Sequence, residues 1–223
     1  MAPRTSLADI APIEPVDIAL TVANRLRDML AQGRFAPGEQ ITEPSIAAAF
    51  HVGRGPVREA LKRFTEQGLL VSERNRGVFV PVLSIKDVED IYRLRCAIET
   101  AAIKAIIRDP DPAVFKRLWQ ILADYRGHLA AGNWDAADEL DMSFHRELVA
   151  ASGSRRLIQA FATVSVETRM CLRALVFHHP DHPDMEAWHA DILRAAEAAD
   201  LPAAQRALEF HNSTVIADLA RAR

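Results

Sequence analysis

The chain has 223 residues, 49% hydrophobic and 26% charged, with 27 Lys+Arg against 30 Asp+Glu and a net charge of −3. That balance excludes a disordered chain and a uniformly basic nucleic-acid coat, and the length admits one large domain or two small ones. No run approaches the roughly 18 charge-free apolar residues of a membrane span, so no membrane partner is expected. Charge is unevenly placed. Residues 51–80 hold six bases against three acids, whereas residues 81–223 hold 17 bases against 21 acids, a basic patch joined to an acidic remainder. Cys96 and Cys171 stand apart with no CxxC spacing, as in a reducing compartment. Charges at Arg4, Asp9, Glu14 and Asp17 and prolines at 3, 12 and 15 deny residues 1–15 a secretory apolar core. These features predict a loose arm over 1–15 and a cytoplasmic protein.

Ile18, Val22, Leu26, Met29 and Leu30 recur at helical spacing, Gly33 ends the run, and Pro37-Gly38 turns the chain. A short helix is predicted over about 43–50 and another over about 54–67, with Gly68 at its C′ position. Residues 69–73 and 77–80 are β-prone runs around Arg74-Asn75-Arg76-Gly77, a hairpin pattern that Pro81 closes. The periodicity is then helical to the end, with helices predicted over 85–107, 112–131, 134–151, 155–177, 185–199 and 202–221. Ser84, Asp111 before Pro112, Asn133, Ser154 and Leu201 before Pro202 are the start signals. The chain is therefore expected to be mainly α. Its predicted parts are a winged helix-turn-helix (α+β) over 16–81, a linker over 82–84, and an all-α antiparallel bundle over 85–223.

In the basic unit, Val57, Ala60, Leu61 and Phe64 occupy the packing face of the helix that begins at Arg54. Arg54, Arg58 and Lys62, at i, i+4 and i+8, form a basic stripe that no apolar core accepts. Gly53, Gly55 and Pro56 keep the first turn narrow, and unpaired first-turn N–H groups suit a DNA phosphate. Arginines can also reach base edges, and the basic hairpin tip suits a groove-contacting wing. The alternative is a solvated basic face with nothing bound. The segments Pro37-Gly38-Glu39, Val52-Gly53-Arg54-Gly55-Pro56-Val57-Arg58-Glu59-Ala60-Leu61 and Gly68-Leu69-Leu70 resemble the DNA-binding domain of the GntR superfamily of bacterial transcription regulators. The resemblance covers nearly all of 18–80. It implies that Arg54 and Arg58 make base and phosphate contacts and that Arg76 and Gly77 form the wing tip. Gly53 replaces the usual Ser or Thr, removing a hydroxyl cap at a cost of a few tenths of a kcal/mol.

In the helical unit, Asp141 and His145 share a helix face beside Leu140, Phe144 and Leu148. His189 adjoins Trp188, Ile192 and Leu193, and His211 adjoins Phe210, Leu208 and Val215. Four such residues on inward faces can converge on a divalent ion, Zn²⁺, Ni²⁺ or Fe²⁺ by donor chemistry. The alternative is that each histidine is a satisfied core or surface residue. His178, His179 and His182 form a rival cluster in a Pro- and Asp-rich connector, and His51 and His128 read as surface residues.

Residues 85–223 resemble the ligand-sensing domain of the FadR-type branch, whose metal-binding members carry Asp-x-x-x-His on one helix and a His on each of two later helices. Asp141, His145, His189 and His211 match that pattern, so the resemblance implies one metal ion, zinc above nickel or iron. The segment Arg95-x-x-x-Glu99 matches too, and implies that Arg95 faces a small carboxylate effector; pairing with Glu99 is its alternative role. Ser154 stands where the relatives often have Asn.

The leading expectation is a homodimeric regulator, not an enzyme. Its partners would be double-stranded operator DNA and a small organic acid at the metal site. A metal-dependent hydrolase or lyase using the Asp/His₃ set and a ligand-independent dimeric DNA-binding protein are the alternatives.

Overall fold

The structure is a computed structural model and describes residues 17–174 and 185–221. The proposed arm over 1–15 and the cluster His178, His179 and His182 lie outside the described residues. Helix α1 (Ile18–Ala31) starts at Asp17, whose side chain accepts from the Leu20 N–H at 2.9 Å. Helix α2 (Glu43–Phe50) is capped by Thr42 and ends where His51 adopts a left-handed conformation, φ 54°. Helix α3 (Arg54–Glu66) buries Val57, Ala60, Leu61 and Phe64 against α1 and α2. Its N-cap, Gly53, supplies no side-chain hydrogen bond, as the missing hydroxyl predicts.

The wing comprises β2 (Val71–Glu73) and β3 (Gly77–Phe79), antiparallel with Val71 opposite Phe79. The periodicity does not reveal a third strand, β1 (Gln40–Ile41), which pairs on the far side of β3 with Gln40 opposite Phe79. Val80 extends this pairing, donating to the Glu39 carbonyl and accepting from the Gly38 N–H, each at 2.9 Å. Gly77 has φ +114°, and a Cβ there would stand 2.8 Å from Gln40 Nε2. A side chain at 77 would therefore meet both backbone strain and a collision.

Helices α4 (Ile85–Arg108), α5 (Pro112–Ala130), α6 (Trp134–Ala150), α7 (Arg155–Ala174), α8 (Met185–Glu197) and α9 (Leu201–Arg221) form the bundle. Ser84, Asp111 and Asn133 cap three of them, Ser84 within a reciprocal capping box with Asp87. The Ser154 hydroxyl accepts from the Leu157 N–H at 3.3 Å. At α9 the capping side chain is Asp200, which accepts from the Ala203 N–H at 2.9 Å, one residue before the Leu201 that the sequence pattern indicated. Helix α4 is the central element and packs against α6, α7, α8 and α9.

The two parts of the chain share a core. Val166 and Met170 of α7 join Val22, Leu26, Leu30, Val57 and Phe64 in the apolar cluster of the winged unit. Helix α7 is thus a member of the bundle and the floor on which α1 rests. Met170→Ala is expected to lower stability by about 2–5 kcal/mol, the range for emptying a buried methionine site. Urea unfolding measures the loss, and a change below about 0.5 kcal/mol would show that Met170 is not part of a packed seam.

Candidate DNA-binding surface and buried metal centre

Packing of α3 settles which of its residues remain outside. With its apolar face on α1 and α2, Arg54, Gly55, Arg58 and Lys62 are exposed, as are Arg76 and Gly77 at the wing. Arg54, Arg58, Lys62 and Gly77 line one shallow groove between α3 and the wing. Among the described residues neither Arg54 nor Arg58 has an ion-pair partner, whereas Lys62 lies 3.7 Å from Glu66 and Arg63 lies 3.1 Å from Glu59. Arg76 pairs with Glu73 and stacks over the Phe79 ring at 5.3 Å. Its carbonyl accepts from Gln40 Nε2 at 2.5 Å, which ties the wing tip to β1.

The second site is inside the bundle. Asp141 and His145 lie one turn apart on α6, His189 projects from α8 and His211 from α9; all four are buried. One donor atom from each falls within 4.8 Å of all the others. His189 Nε2 stands 3.0 Å from Asp141 Oδ1 and 3.1 Å from His145 Nε2. Phe144 sets its ring edge-on against both His145 and His189, with centroids 5.3 and 5.1 Å apart, and so walls off one side.

Proton placement gives this cluster its chemistry. His189 Nδ1 is 2.7 Å from the Met185 carbonyl; a carbonyl only accepts, so Nδ1 carries a hydrogen, and Nε2, turned towards Asp141, is the nitrogen that a metal would use. His145 Nδ1 lies 2.8 Å from Glu99 Oε1, which turns its Nε2 towards His189. Burial first, and then the nearby Arg95, push His145 below the ordinary histidine range. Burial and the neighbouring His189, His145 and Arg95 push His211 lower still. Burial opposes ionisation of Asp141, yet the histidines and Arg95 around it hold its carboxyl well below the usual carboxylate range. Three imidazoles and a carboxylate thus crowd together away from solvent, and a divalent cation among them would take over the contacts they now make with one another. The separations of 3.0 and 3.1 Å are short enough for these atoms to reach one ion at about 2.0–2.2 Å. The residues present fit a divalent metal.

Helix α4 supports the centre from behind. Arg95 and Glu99 are 2% and 0% exposed and joined through Nε and Oε1 at 3.0 Å. Burial opposes Glu99 ionisation, but Arg95 and His145 outweigh it and hold the carboxyl low. Arg95 Nη2 and the Tyr92 hydroxyl are buried with no hydrogen-bond partner. Both residues line a cavity with Asp141 and His211. Arg95 thus pairs one edge with Glu99 and also stands on the cavity wall. Sequence reasoning missed Tyr92, although it lies three residues before Arg95 on the same helix face. Of the remaining histidines, His51 is exposed and His128 half-buried.

A winged unit with an exposed basic face, joined to a helical unit with a buried polar centre, has the make-up of a DNA-binding transcription regulator. Residues 18–80 match the family described as bacterial regulatory proteins, gntR family, and residues 90–214 match the FCD domain. The chain belongs to the GntR family, in the FadR-type branch that carries an FCD domain. It is 34% identical over 144 residues to the Nta operon transcriptional regulator of Aminobacter aminovorans, covering 63% of this chain and 67% of that protein. It is 32% identical over 145 residues to the uncharacterised HTH-type regulator YdhC of Bacillus subtilis (strain 168), a span of 65% of each protein and so just under two thirds of YdhC. A GntR protein from Rhodococcus sp. RHA1 superposes with a TM-score of 0.77 at 29% identity, over 93% of this chain and 100% of that one. Escherichia coli McbR/YncC shares the fold, with a TM-score of 0.81 at 20% identity, over 93% and 99%. The two families and the Nta operon and YdhC relatives are those of transcriptional regulators, not enzymes.

Removing Glu99 leaves Arg95 as an uncompensated buried charge. Glu99→Ala is expected to cost about 3–5 kcal/mol in chemical denaturation. A variant as stable as the parent would show that Arg95 is neutralised elsewhere.

Proposed function

We propose that the protein is a homodimeric, metabolite-responsive transcription regulator. Its operator affinity is set by a small organic acid bound at a divalent metal, zinc before nickel or iron, in the helical unit. The observation that carries this reading is the convergence of Asp141, His145, His189 and His211, all buried, beside a cavity lined by Arg95. Residues 16–81 serve as the DNA-binding unit, 82–84 as the connector and 85–223 as the sensing and dimerisation unit of a cytoplasmic protein.

In this reading Asp141, His145, His189 and His211 hold the ion, and Glu99 and the Met185 carbonyl fix the tautomers of two of the imidazoles. When bound, the ion supplies a Lewis-acidic centre for a carboxylate oxygen. One carboxylate and three neutral imidazoles leave that centre with a net charge of +1. The Arg95 guanidinium offers Nη2 as a donor to the same anion, and the Tyr92 hydroxyl offers a second. No nucleophile or general base is required, because nothing is turned over. At the other surface, Arg54 and Arg58 reach bases and phosphates from the start of α3, Gly55 allows close approach of the backbone, Lys62 neutralises a phosphate, and Arg76 with Gly77 places the wing in the adjoining groove. Two copies related by a two-fold axis read a palindrome that one recognition helix is too short to specify.

Protein purified without chelator is expected to carry one divalent ion per chain by elemental analysis, and His189→Ala to lose it. Absence of metal both before and after its addition would contradict the metal assignment. On a duplex selected by the protein from a random pool, Arg58→Ala is expected to lose about 1–3 kcal/mol of affinity; unchanged affinity removes Arg58 from the interface. On the same duplex, an acid that binds at the metal should shift the affinity by about 5- to 150-fold, and Arg95→Gln or chelation should abolish that shift. Acids that bind without altering DNA affinity would overturn the reading.

A further inference from the structure

The cavity lined by Arg95, Asp141 and His211 also reaches Arg169 and Arg173, one turn apart on α7, and Gln32 at the end of α1. Neither arginine is needed to hold the metal or to meet a carboxylate beside it. Arg169 is largely buried, with 19% of its side chain exposed, and pairs with Glu139. Arg173 reaches Asp138 at 3.2 Å and Asp135 at 3.4 Å. Asp135 is 92% exposed, and such surface pairs are worth about 0–1 kcal/mol, so a better-placed anion can replace them. The Arg173 stem packs against Gly33, where an added Cβ would stand 3.1 Å from Arg173 Cβ. A residue on the cavity wall thus also touches the chain directly after α1.

Charge along the cavity is divided. Asp141 is matched at the inner end by Arg95 and by the ion the centre fits, while Asp138, the other cavity-lining acid, pairs with Arg173 at the outer end. Glu139 and Asp135 complete those pairs from the surface. A monoanion seated at the inner end uses neither outer guanidinium.

We propose that the effector is a dianion. Its first carboxylate sits at the inner end and its second anionic group is bound by Arg173 and Arg169 at the seam with α1. This rests on the reading of the inner end as a metal-dependent acid site and adds the specificity of its outer end. Drawing Arg173 away from Asp135 and Asp138 moves its stem on Gly33, so the second anionic group is the one that reports occupancy to the DNA-binding unit.

The test is calorimetry on the zinc-loaded full chain with acids matched in carbon number: succinate against butyrate, glutarate against pentanoate, adipate against hexanoate. One dicarboxylate should bind about tenfold or more tighter than its monocarboxylate partner, since a hydrogen bond to a charged group is of that order. Arg173→Gln and Arg169→Gln should each bring the ratio close to one. Asp135→Asn, which removes one of the two carboxylates that compete for Arg173, should raise dicarboxylate affinity, a gain that a misfolded variant cannot mimic. The preferred dicarboxylate should change affinity for a selected duplex in the parent and not in Arg173→Gln. Equal binding of both series, or a preference that survives both arginine substitutions, overturns the dianion proposal and leaves the inner acid site standing. If no acid of either series binds, the inner-site reading falls with it.

Discussion

Most of the helical unit is arranged around one electrostatic constraint: a carboxylate and three imidazoles from three helices are brought together away from water, with polar atoms of α6 and α8 about 3 Å apart. Inside a protein such groups are far more costly than in solvent, because little else satisfies them. The surrounding helices each answer part of that cost. Helix α4 brings the Arg95–Glu99 pair against His145, α8 turns its own carbonyl at Met185 onto His189, and Phe144 excludes solvent from one side. A bundle built only for stability would place apolar side chains at 141, 145, 189 and 211 and gain by it.

Helix α7 makes the arrangement more than a local one. One of its faces completes the core beneath the recognition helix through Val166 and Met170, and another lines the cavity through Arg169 and Arg173. Packed interiors shift between discrete arrangements rather than deforming smoothly. A change in what the cavity holds therefore has a short physical route to α1 and α3. The connector at 82–84 is not the sole link between the two units.

The helices were legible from sequence because each has a 3.6-residue apolar stripe and most have a capping side chain at the first turn. The pairing of Asp141 with His145 was legible because i and i+4 share a face. What escaped depends on contacts between distant segments. Strand β1 is two residues long and has no period to read; only its register against Phe79 and Val78 defines it. Glu99 stood out as a partner of Arg95 on its own helix, but its approach to His145 joins α4 to α6 and leaves no trace in local spacing. Val166 and Met170 fall inside the helix predicted over 155–177, and nothing in their sequence context separates a neighbour on α4 from one on α1. Local spacing does not single out Arg169 and Arg173 either.

The buried centre is tested most directly by anomalous diffraction at a metal absorption edge, on crystals of the full chain purified without chelator. One peak should lie about 2.0–2.2 Å from an oxygen of Asp141 and from one ring nitrogen each of His145, His189 and His211. An absence of anomalous signal at the four side chains, or an ion held instead by other residues, would contradict the metal assignment and the effector site built upon it.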